Sequence, residues 1–385
     1  MPEPSWYKGR EQTYIKHFIL ERYLRKLARK KGWFGGTINF VDGFAGPWRN
    51  TSEALEDTSP FIAIKELRMA RNDLQGNDRP PLKIRCLFIE RDKRAHALLA
   101  EILREIDDVE VNTFNGEFEE HVADACKFAA TGIKNFTFFF IDPTGWTGYA
   151  LPLIKPILSH QPGEILINFM TKDITRFIDH DRPEDVASFN RLFGTTEFRD
   201  RWANMSGLDR EDEIVRVYSD RIKEAGRFTF VAATTILHPS EDRTHFHLIY
   251  ATRHIEGLRV FRNEAERPAQ REQQQSRWQA RSERQLGTTG QIGLFDQPVG
   301  RTYSDELVER YHAKAEQHLM KALHDRRRVP FDDLEAEALL FPLMHTQALK
   351  DWLMKLHGLG KVRFEGMGPR QRIPQPGEDN IVILT

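Results

Sequence analysis

The sequence has little cysteine, no long apolar run and almost no net charge. Its two cysteines, Cys86 and Cys126, form no CxxC or Cys/His zinc spacing, and their apolar neighbours predict reduced core residues. No apolar stretch approaches the roughly 18 residues of a membrane span, and the amino-terminal residues do not resemble a signal peptide. We therefore expect a soluble, cytoplasmic protein of 385 residues, long enough for two or three domains.

Other features that the sequence lacks argue against several classes of ligand. With 56 basic and 57 acidic residues, no global field favours nucleic acid, so any basic surface must be local. Neither GxGxxG nor GxxxxGK[ST] occurs, which argues against a dinucleotide or a nucleoside triphosphate. His245 and His247 alternate on a predicted strand, but no third ligand lies near them in sequence, so we expect no metal site.

One stretch stands out near the amino terminus. A β-branched and aromatic run, residues 37–41, ends abruptly in Asp42, and Gly43, Phe44 and Gly46 follow within four residues. A buried parallel strand ends in this way when a ligand sits on its carboxyl-terminal tip. The glycines can take positive φ and let backbone N–H groups approach that ligand closely. An ordinary strand-to-helix turn is the alternative for the same residues.

Three more predicted strands also end in polar residues. Because the ends of parallel strands meet at one edge of a sheet, these tips are expected to converge with Asp42. An acid at the end of the second strand suits two ribose hydroxyls, and the turn after the third can face an adenine edge. The predicted cofactor-side residues are Asp42, Gly43, Phe44, Gly46, Glu90, Asn115 and Gly116, and Asp142 follows the fourth strand.

The order of patterns predicts an α/β fold. Strands alternate with helical segments through residue 169, which implies right-handed crossovers and a parallel sheet. Residues 171–226 are charged and helical, like an insertion over the sheet edge. Two further strands, near 228–237 and 245–252, are separated by a hairpin-like return. We assign residues 1–262 to this domain, including a basic helix near 11–31 whose charges suit either its dipole or a phosphate.

The remaining sequence divides into a linker and a second domain. Residues 263–302 are rich in Arg, Gln, Glu, Ser and Gly and predict a flexible linker. Residues 303–385 predict a long helix, an extended segment at 329–334, a helix at 346–356 and two pairing strands, which is the pattern of a winged helix-turn-helix. Such domains bind nucleic acid or protein. The polar candidates for nucleic acid are His345, Gln347, Lys350, Lys361, Arg363 and Arg370, with Lys355 and Arg372 beside them.

These motifs together resemble two known groups of proteins. Asp42-Gly43-Phe44-Ala45-Gly46 resembles the first motif of S-adenosylmethionine-dependent methyltransferases, particularly the Asp-x-Phe-Ala-Gly form of DNA methyltransferases. Over nearly the whole chain, the pattern is similar to the three-Cys-motif partner (TcmP) family. That resemblance rests on the basic amino-terminal helix, Val41 to Pro47, Ser59-Pro60, Phe88-Ile89-Glu90, Ile141-Asp142-Pro143-x-Gly145, Tyr250 to His254 and the terminal winged helix.

The resemblance implies a Rossmann-like class I methyltransferase sheet, mostly parallel with a terminal antiparallel strand pair. It also implies S-adenosylmethionine as cofactor and a second, three-cysteine-motif protein, resembling radical-SAM enzymes, as partner. A non-catalytic methyltransferase-like scaffold for that partner on DNA is the alternative. Trp48 favours the alternative, because cytosine-methylating enzymes have a glycine at the corresponding position.

The segment from Asp142 to Trp146 lies where amino-methyltransferases carry an Asp-Pro-Pro-Tyr loop. That loop holds an exocyclic amine and stacks an extruded base, so Asp142 and Trp146 are the predicted catalytic residues. Thr144 replaces the second proline, and a Pro-Gly turn after a buried strand is the alternative. In the predicted linker, a short apolar peptide resembles those that bind the bacterial sliding clamp: Gln291, Ile292, Gly293, Leu294 and Phe295.

Overall fold

A seven-stranded sheet forms the centre of the protein in a computed structural model that describes residues 3–46, 56–75, 80–289 and 300–385. The strand order is β3-β2-β1-β4-β5-β7-β6. The first five are parallel, and β7 is antiparallel to both of its neighbours. The strands are β1 Gly36–Asp42, β2 Leu82–Glu90, β3 Glu110–Asn115, β4 Asn135–Ile141, β5 Gly163–Phe169, β6 Phe230–Leu237 and β7 Thr244–Thr252. This arrangement confirms the predicted α/β fold with a mostly parallel sheet and a terminal antiparallel pair.

Alternating side chains of the central strands supply two hydrophobic layers. On β4, Phe136, Phe138 and Phe140 pack into one layer, while Phe139 and Ile141 pack into the other. This follows from the two-residue period of a strand, and it explains why a strand buried on both faces is apolar throughout.

Helices cover both faces of the sheet. The first layer contains α1 Glu11–Gly32, α2 Ser59–Leu74, α3 Lys93–Leu103, α9 Ile255–Val260 and α10 Arg267–Thr289. The second layer contains α4 Val122–Ala129, α5 Leu151–Leu158, α6 Thr171–Phe177, α7 Pro183–Phe193 and α8 Gly207–Gly226. The predicted helical insertion at 171–226 thus corresponds to α6, α7 and α8. None of the described helices is long and apolar enough to cross a bilayer.

The segment predicted as a flexible linker is helical wherever the structure describes it. A π-helical stretch, Phe261–Glu266, leads directly into α10, and Ala265 and Ala269 are buried against the core. Further along α10, Gln273 accepts a hydrogen bond from the backbone of Leu237, and Arg277 donates to the carbonyl of His238. The linker prediction was wrong over 263–289 because this helix packs on the core through small alanines and hydrogen-bonded polar side chains, which the low content of large aliphatic residues did not reveal.

The carboxyl-terminal unit has its own small sheet and core. It consists of α11 Tyr303–Arg326, β8 Arg328–Pro330, α12 Phe331–Ala338, α13 Thr346–Gly358, β9 Val362–Glu365 and β10 Ile381–Leu384, with strand order β8-β10-β9. The segment predicted as extended at 329–334 contains only the end of a strand, because Phe331 already begins α12. The helix predicted at 346–356 and the two strands after it are present.

A buried arginine fastens this unit to the central domain. Arg262 is fully buried and donates to the carbonyls of Ala233 on β6 and of Leu339 just after α12, at 3.0 and 2.8 Å. It also pairs with the buried carboxylate of Glu266 at 2.6 Å. The contact therefore joins β6, the π-helical stretch and α12 through a single guanidinium group.

We expect Arg262→Met to destabilise the protein by about 3–5 kcal/mol, because Glu266 would keep a buried charge with no cation beside it. Urea denaturation measures this as a lower midpoint. The matched control is Arg301→Met, which removes an exposed ion pair with Glu309 and is expected to leave the midpoint unchanged. Equal midpoints for the two variants would contradict the role of Arg262 as a stabilising link between the central domain and the carboxyl-terminal unit.

Candidate functional site

Two cavities open at the carboxyl-terminal edge of the central sheet. The first, here named the β2 cleft, has a volume of about 340 Å³ and crosses the ends of β1, β2 and β3; its lining includes Gly43, Glu90, Gly116, Glu117 and Phe118. The second, here named the α1 cavity, has a volume of about 490 Å³ and lies between α1 and the ends of β1, β4 and β5. Phe44, Asp142 and Thr144 line both, so the two spaces adjoin at these residues.

Glu90 lies in the β2 cleft with a buried carboxylate. The side chain is 2% exposed, and its carboxylate accepts hydrogen bonds from the backbone N–H groups of Asp92, at 2.6 Å, and of Gly46. Burial raises the pKa of Glu90, and the N–H group of Asp92 opposes that rise. Since both N–H groups are backbone, the orientation of this acid is fixed by the loops after β1 and β2.

Gly43 is required by close packing. Its φ is not positive, so the freedom of glycine to take positive φ is not used at this position, and a Cβ here would lie 2.6 Å from the ring of Phe118. Its N–H group donates to the carbonyl of Phe140 on β4 at 3.0 Å, and the N–H of Ala45 donates to Ile89 on β2 at 2.9 Å. The glycine-containing loop is therefore tied to both neighbouring strands while Phe118 closes over it.

The turn after β3 contributes Gly116 to the cleft but not the side chain of Asn115. That side chain donates to the carbonyls of Glu90 and Arg91, at 2.8 and 3.1 Å, and so joins the ends of β2 and β3. A Cβ on Gly116 would lie 2.5 Å from the ring of His121. Asn115 thus shapes the cleft without lining it. The sequence reasoning missed Phe118, although an aromatic residue just after this turn was a usable signal.

Asp42 lies beneath the cavities. The residue is fully buried; one carboxylate oxygen accepts the N–H of Phe44 at 2.9 Å, and the other accepts the hydroxyl of Ser59 at 2.6 Å. Burial raises the pKa of Asp42 to about 7, with Asp142 adding to the rise and Lys16 opposing it. Asp42 therefore holds the loop after β1 to the start of α2.

Asp142 connects three distant parts of the chain at the α1 cavity. One oxygen accepts a hydrogen bond from the ammonium group of Lys16 on α1. The other accepts from Nδ2 of Asn168, near the end of β5, at 2.8 Å. Both Lys16 and Asn168 were missed by the sequence reasoning. Asn168 could have been found as a fifth polar strand end, whereas nothing local marks Lys16.

Trp146 lies away from both cavities. Its ring packs against Phe177 and Phe189, with centroid distances of 5.1 and 5.3 Å, and its indole N–H donates to Ser188 at 3.0 Å. The predicted role of Trp146 in stacking an extruded base therefore does not fit, because its ring already packs against side chains of α6 and α7. The phenyl rings that line the α1 cavity are those of Phe44 and Phe246.

The two histidines of β7 have different surroundings. His245 lines the α1 cavity, whereas His247 is buried and hydrogen-bonded to the hydroxyl groups of Thr171 and Thr235, at 2.7 and 3.2 Å. Burial lowers the pKa of each to about 4. Within the described ranges, no three His, Cys, Asp or Glu side chains are grouped as metal ligands.

The predicted nucleic-acid residues also separate into two groups. His345 caps α13 by accepting the N–H of Ala348 at 3.1 Å, and Lys350 is buried and donates to Gln375 at 2.5 Å. Four others are exposed: Gln347, Lys361, Arg363 and Arg370. The structure therefore gives His345 and Lys350 structural contacts and leaves the exposed four on the surface.

Comparison with known proteins gives distant similarities to several solved structures. No family model matches the chain, and no curated protein matches it. A Legionella pneumophila protein of family DUF519 is 12% identical, with a TM-score of 0.35, over 63% of this chain and 85% of its own. The plantazolicin methyltransferase BpumL in complex with SAH is 9% identical, with a TM-score of 0.34, over 65% and 88%.

A third solved structure, PKMT2 from Rickettsia typhi, is 10% identical, with a TM-score of 0.27, over 63% of this chain and 56% of its own. These similarities are too distant to assign a site or a reaction.

Asp42 should make the stability of the protein depend on pH. Its folded pKa is about 7, whereas an aspartate in an unfolded chain titrates near ~3.9. Between these values the folded state binds more protons than the unfolded state, so the contribution of Asp42 to stability falls as pH rises and levels off above about 7. The variant Asp42→Asn cannot ionise and keeps a similar shape.

We expect the variant to gain stability relative to the wild type by up to about 1.4 kcal/mol for each pH unit between pH 5 and 7. Urea unfolding at several pH values measures the difference. Asp181→Asn, at a side chain 98% exposed, is the control and should show no trend. A pH-independent difference for Asp42→Asn would contradict the raised pKa.

Proposed function

We propose that this protein is an S-adenosylmethionine-dependent methyltransferase of the class I type, with the β2 cleft as its cofactor site. The observation that carries the proposal is Glu90, a buried carboxylate held by two backbone N–H groups at the end of the second parallel strand. A carboxylate in this position suits the two hydroxyl groups of a ribose. The sheet order, with its antiparallel strand at β7, supports the same assignment.

The residues of the cleft fit such a cofactor. Glu90 would hold the ribose, and the narrow space beside Gly43, Gly116 and Phe118 suits the flat adenine ring. Asp42 would act indirectly, since its carboxylate orders the Phe44 backbone and Ser59. The cofactor supplies an electrophilic methyl group, and the protein supplies its orientation and the neighbouring acceptor space.

The α1 cavity is the proposed acceptor site. It adjoins the cleft at Phe44, Asp142 and Thr144, so a group bound there would be adjacent to a cofactor in the cleft. Nucleic acid is the proposed substrate, with DNA favoured. Support for it comes from the carboxyl-terminal unit, whose order of helices and strands agrees with a winged helix-turn-helix.

In that reading α13 is the recognition helix and β9, β10 and their connecting loop form the wing. Lys361 and Arg370 are exposed and form no ion pair with the described part of the chain, while Arg363 pairs with Glu365 at 2.5 Å. We propose residues 303–385 as a separate domain from 1–262, joined by α10.

Two protein partners remain proposals. The three-cysteine-motif protein rests on the family resemblance of the sequence. Clamp binding rests on the peptide from Gln291 to Phe295, which lies outside the described residues, as does Trp48.

A second candidate function is a non-catalytic scaffold for such a partner on DNA. It is favoured by the contact between Lys16 and Asp142, because both Asp142 oxygens already have hydrogen-bond donors. This candidate predicts that the partner copurifies with Asp142→Ala and that no methyl group reaches any nucleic acid. Methyl transfer by the wild type that is lost in Asp142→Ala would exclude the scaffold.

Calorimetry tests the cofactor site directly. We expect S-adenosylmethionine to bind the wild type and to bind Glu90→Gln at least about tenfold more weakly, since a buried acceptor for a ribose hydroxyl is lost. Glu101→Gln, on the exposed face of α3, is the matched control and should bind like the wild type. Absence of binding at millimolar cofactor, with Glu90→Gln equally inert, would rule the proposal out.

The salt dependence of DNA binding tests the winged helix. Replacing Lys361, Arg363 and Arg370 together by alanine should weaken binding to any duplex sequence. Because log affinity falls as log salt rises, the loss of phosphate contacts should also make this slope less steep, by up to about 3. An equal loss of charge from the central domain, at Lys134, Lys155 and Lys223, serves as the control. If both triple variants keep the wild-type slope, the carboxyl-terminal unit does not contact DNA through this surface.

A further inference from the structure

Three residues that line the α1 cavity each have a buried polar atom without a hydrogen-bond partner within the described ranges. The atoms are Oδ1 of Asn168, Oε1 of Gln12 and Nδ1 of His245. Each atom is shielded from bulk water, and buried polar atoms in folded proteins are almost always paired. Three unpartnered atoms around one cavity therefore point to a ligand that brings its own hydrogen-bond donors.

Asn168 is the best defined of the three. The residue is 3% exposed, and its Nδ2 group donates to Asp142 at 2.8 Å. A carboxylate can only accept, so this contact decides which end of the amide faces Asp142. The amide oxygen, an acceptor, is consequently the atom left without a donor. Lys16 contributes by holding the other oxygen of Asp142, which fixes the carboxylate itself.

The charges around the cavity favour a neutral ligand. Arg10 is paired with Asp57 at 2.8 Å, and Lys16 is paired with Asp142. Partial burial, together with nearby cations, lowers the pKa of His245 to about 4 and keeps the ring neutral. Each cation of the lining thus has an acid beside it, so neither an anionic nor a cationic ligand gains a free counter-charge.

The apolar part of the lining suits a flat ring. Phe44, Phe246, Pro143 and Met170 contribute to the walls of a space of about 490 Å³. Aromatic faces and a proline ring pack well against planar heterocycles, and a small number of polar groups among apolar walls is typical of sites for small organic groups.

We propose that the α1 cavity receives a neutral, planar heterocycle through its exocyclic amino group, which donates a hydrogen bond to Oδ1 of Asn168. Gln12 and His245 bind further polar groups of the same ligand. A nucleobase with an amino group, such as adenine or cytosine, has this chemistry. The inference rests on the proposed function in that it names the substrate class of the acceptor site, and it makes Asn168 rather than Asp142 the residue that reads the amino group.

Paired nucleosides test the proposal on the full-length protein. The probes are adenosine against purine riboside and cytidine against its 4-deamino analogue, each pair differing by the amino group, titrated by calorimetry into protein saturated with S-adenosylhomocysteine. We expect at least one amino-bearing nucleoside to bind about tenfold or more tightly than its partner, because the partner leaves the Asn168 oxygen unpaired.

The variant Asn168→Leu should remove this preference. The matched control is Asn112→Leu, the same change at an exposed asparagine of β3 in the same sheet, and it should keep the preference in full. If Asn168→Leu does not fold, the smaller change Asn168→Ala takes its place and should likewise remove the preference. Equal binding within each nucleoside pair to the wild type, or a preference that survives Asn168→Leu, overturns the inference.

Cofactor binding separates this inference from the proposed function. Asn168 lines the α1 cavity and not the β2 cleft, so Asn168→Leu should bind S-adenosylhomocysteine within about twofold of the wild type. A wild type that binds no cofactor but prefers amino-bearing nucleosides, measured without cofactor, would remove the methyltransferase proposal and keep the ligand site. A wild type that binds cofactor but shows no preference for the amino group would keep the methyltransferase proposal and remove the ligand site.

Discussion

The carboxylate of Asp142 is the contact on which the candidate site depends. It joins α1 through Lys16 and β5 through Asn168, residues 126 and 26 positions away in sequence. A carboxylate that is largely shielded from water is costly unless its charge is paired and its lone pairs are used, and each oxygen of Asp142, whose side chain is 14% exposed, has a donor. Through this contact, α1 forms one wall of the α1 cavity. The contact with Asn168 also directs the amide oxygen of Asn168 away from Asp142.

Buried polar groups do similar work elsewhere in the molecule. Arg262 links the sheet to the carboxyl-terminal unit through backbone carbonyls, and Gln273 and Arg277 attach α10 to the end of β6 and the loop that follows it. Such contacts contribute through satisfied hydrogen bonds rather than through apolar area. A region rich in arginine and glutamine can therefore be an ordered part of the structure, although its composition is typical of a tether.

Prediction from sequence succeeded where the signal is local. The strands that end in Asp42, Glu90 and Asn115 were found, since buried parallel strands are continuous apolar runs and their ends are polar. Prediction from sequence failed where the role of a residue depends on which distant side chain it contacts. Trp146 has the right place in a motif, but its ring lies between Phe177 and Phe189. Gly43 has to lack a Cβ because the ring of Phe118, 75 residues later, packs directly against it, and not because its backbone angle requires glycine.

The sequence by itself determined the α/β class, the strands, the hairpin-like return between β6 and β7 and the acid available at the end of β2, because each follows from periodicity and strand ends within a few residues. Only the tertiary structure decided which polar groups meet: Lys16 with Asp142, Asp142 with Asn168, and α10 with the core. The physical reason is that a hydrogen bond between distant segments leaves no mark on the local pattern of either one. The unpartnered oxygen of Asn168, which distinguishes the acceptor cavity, is a property of that three-dimensional arrangement alone.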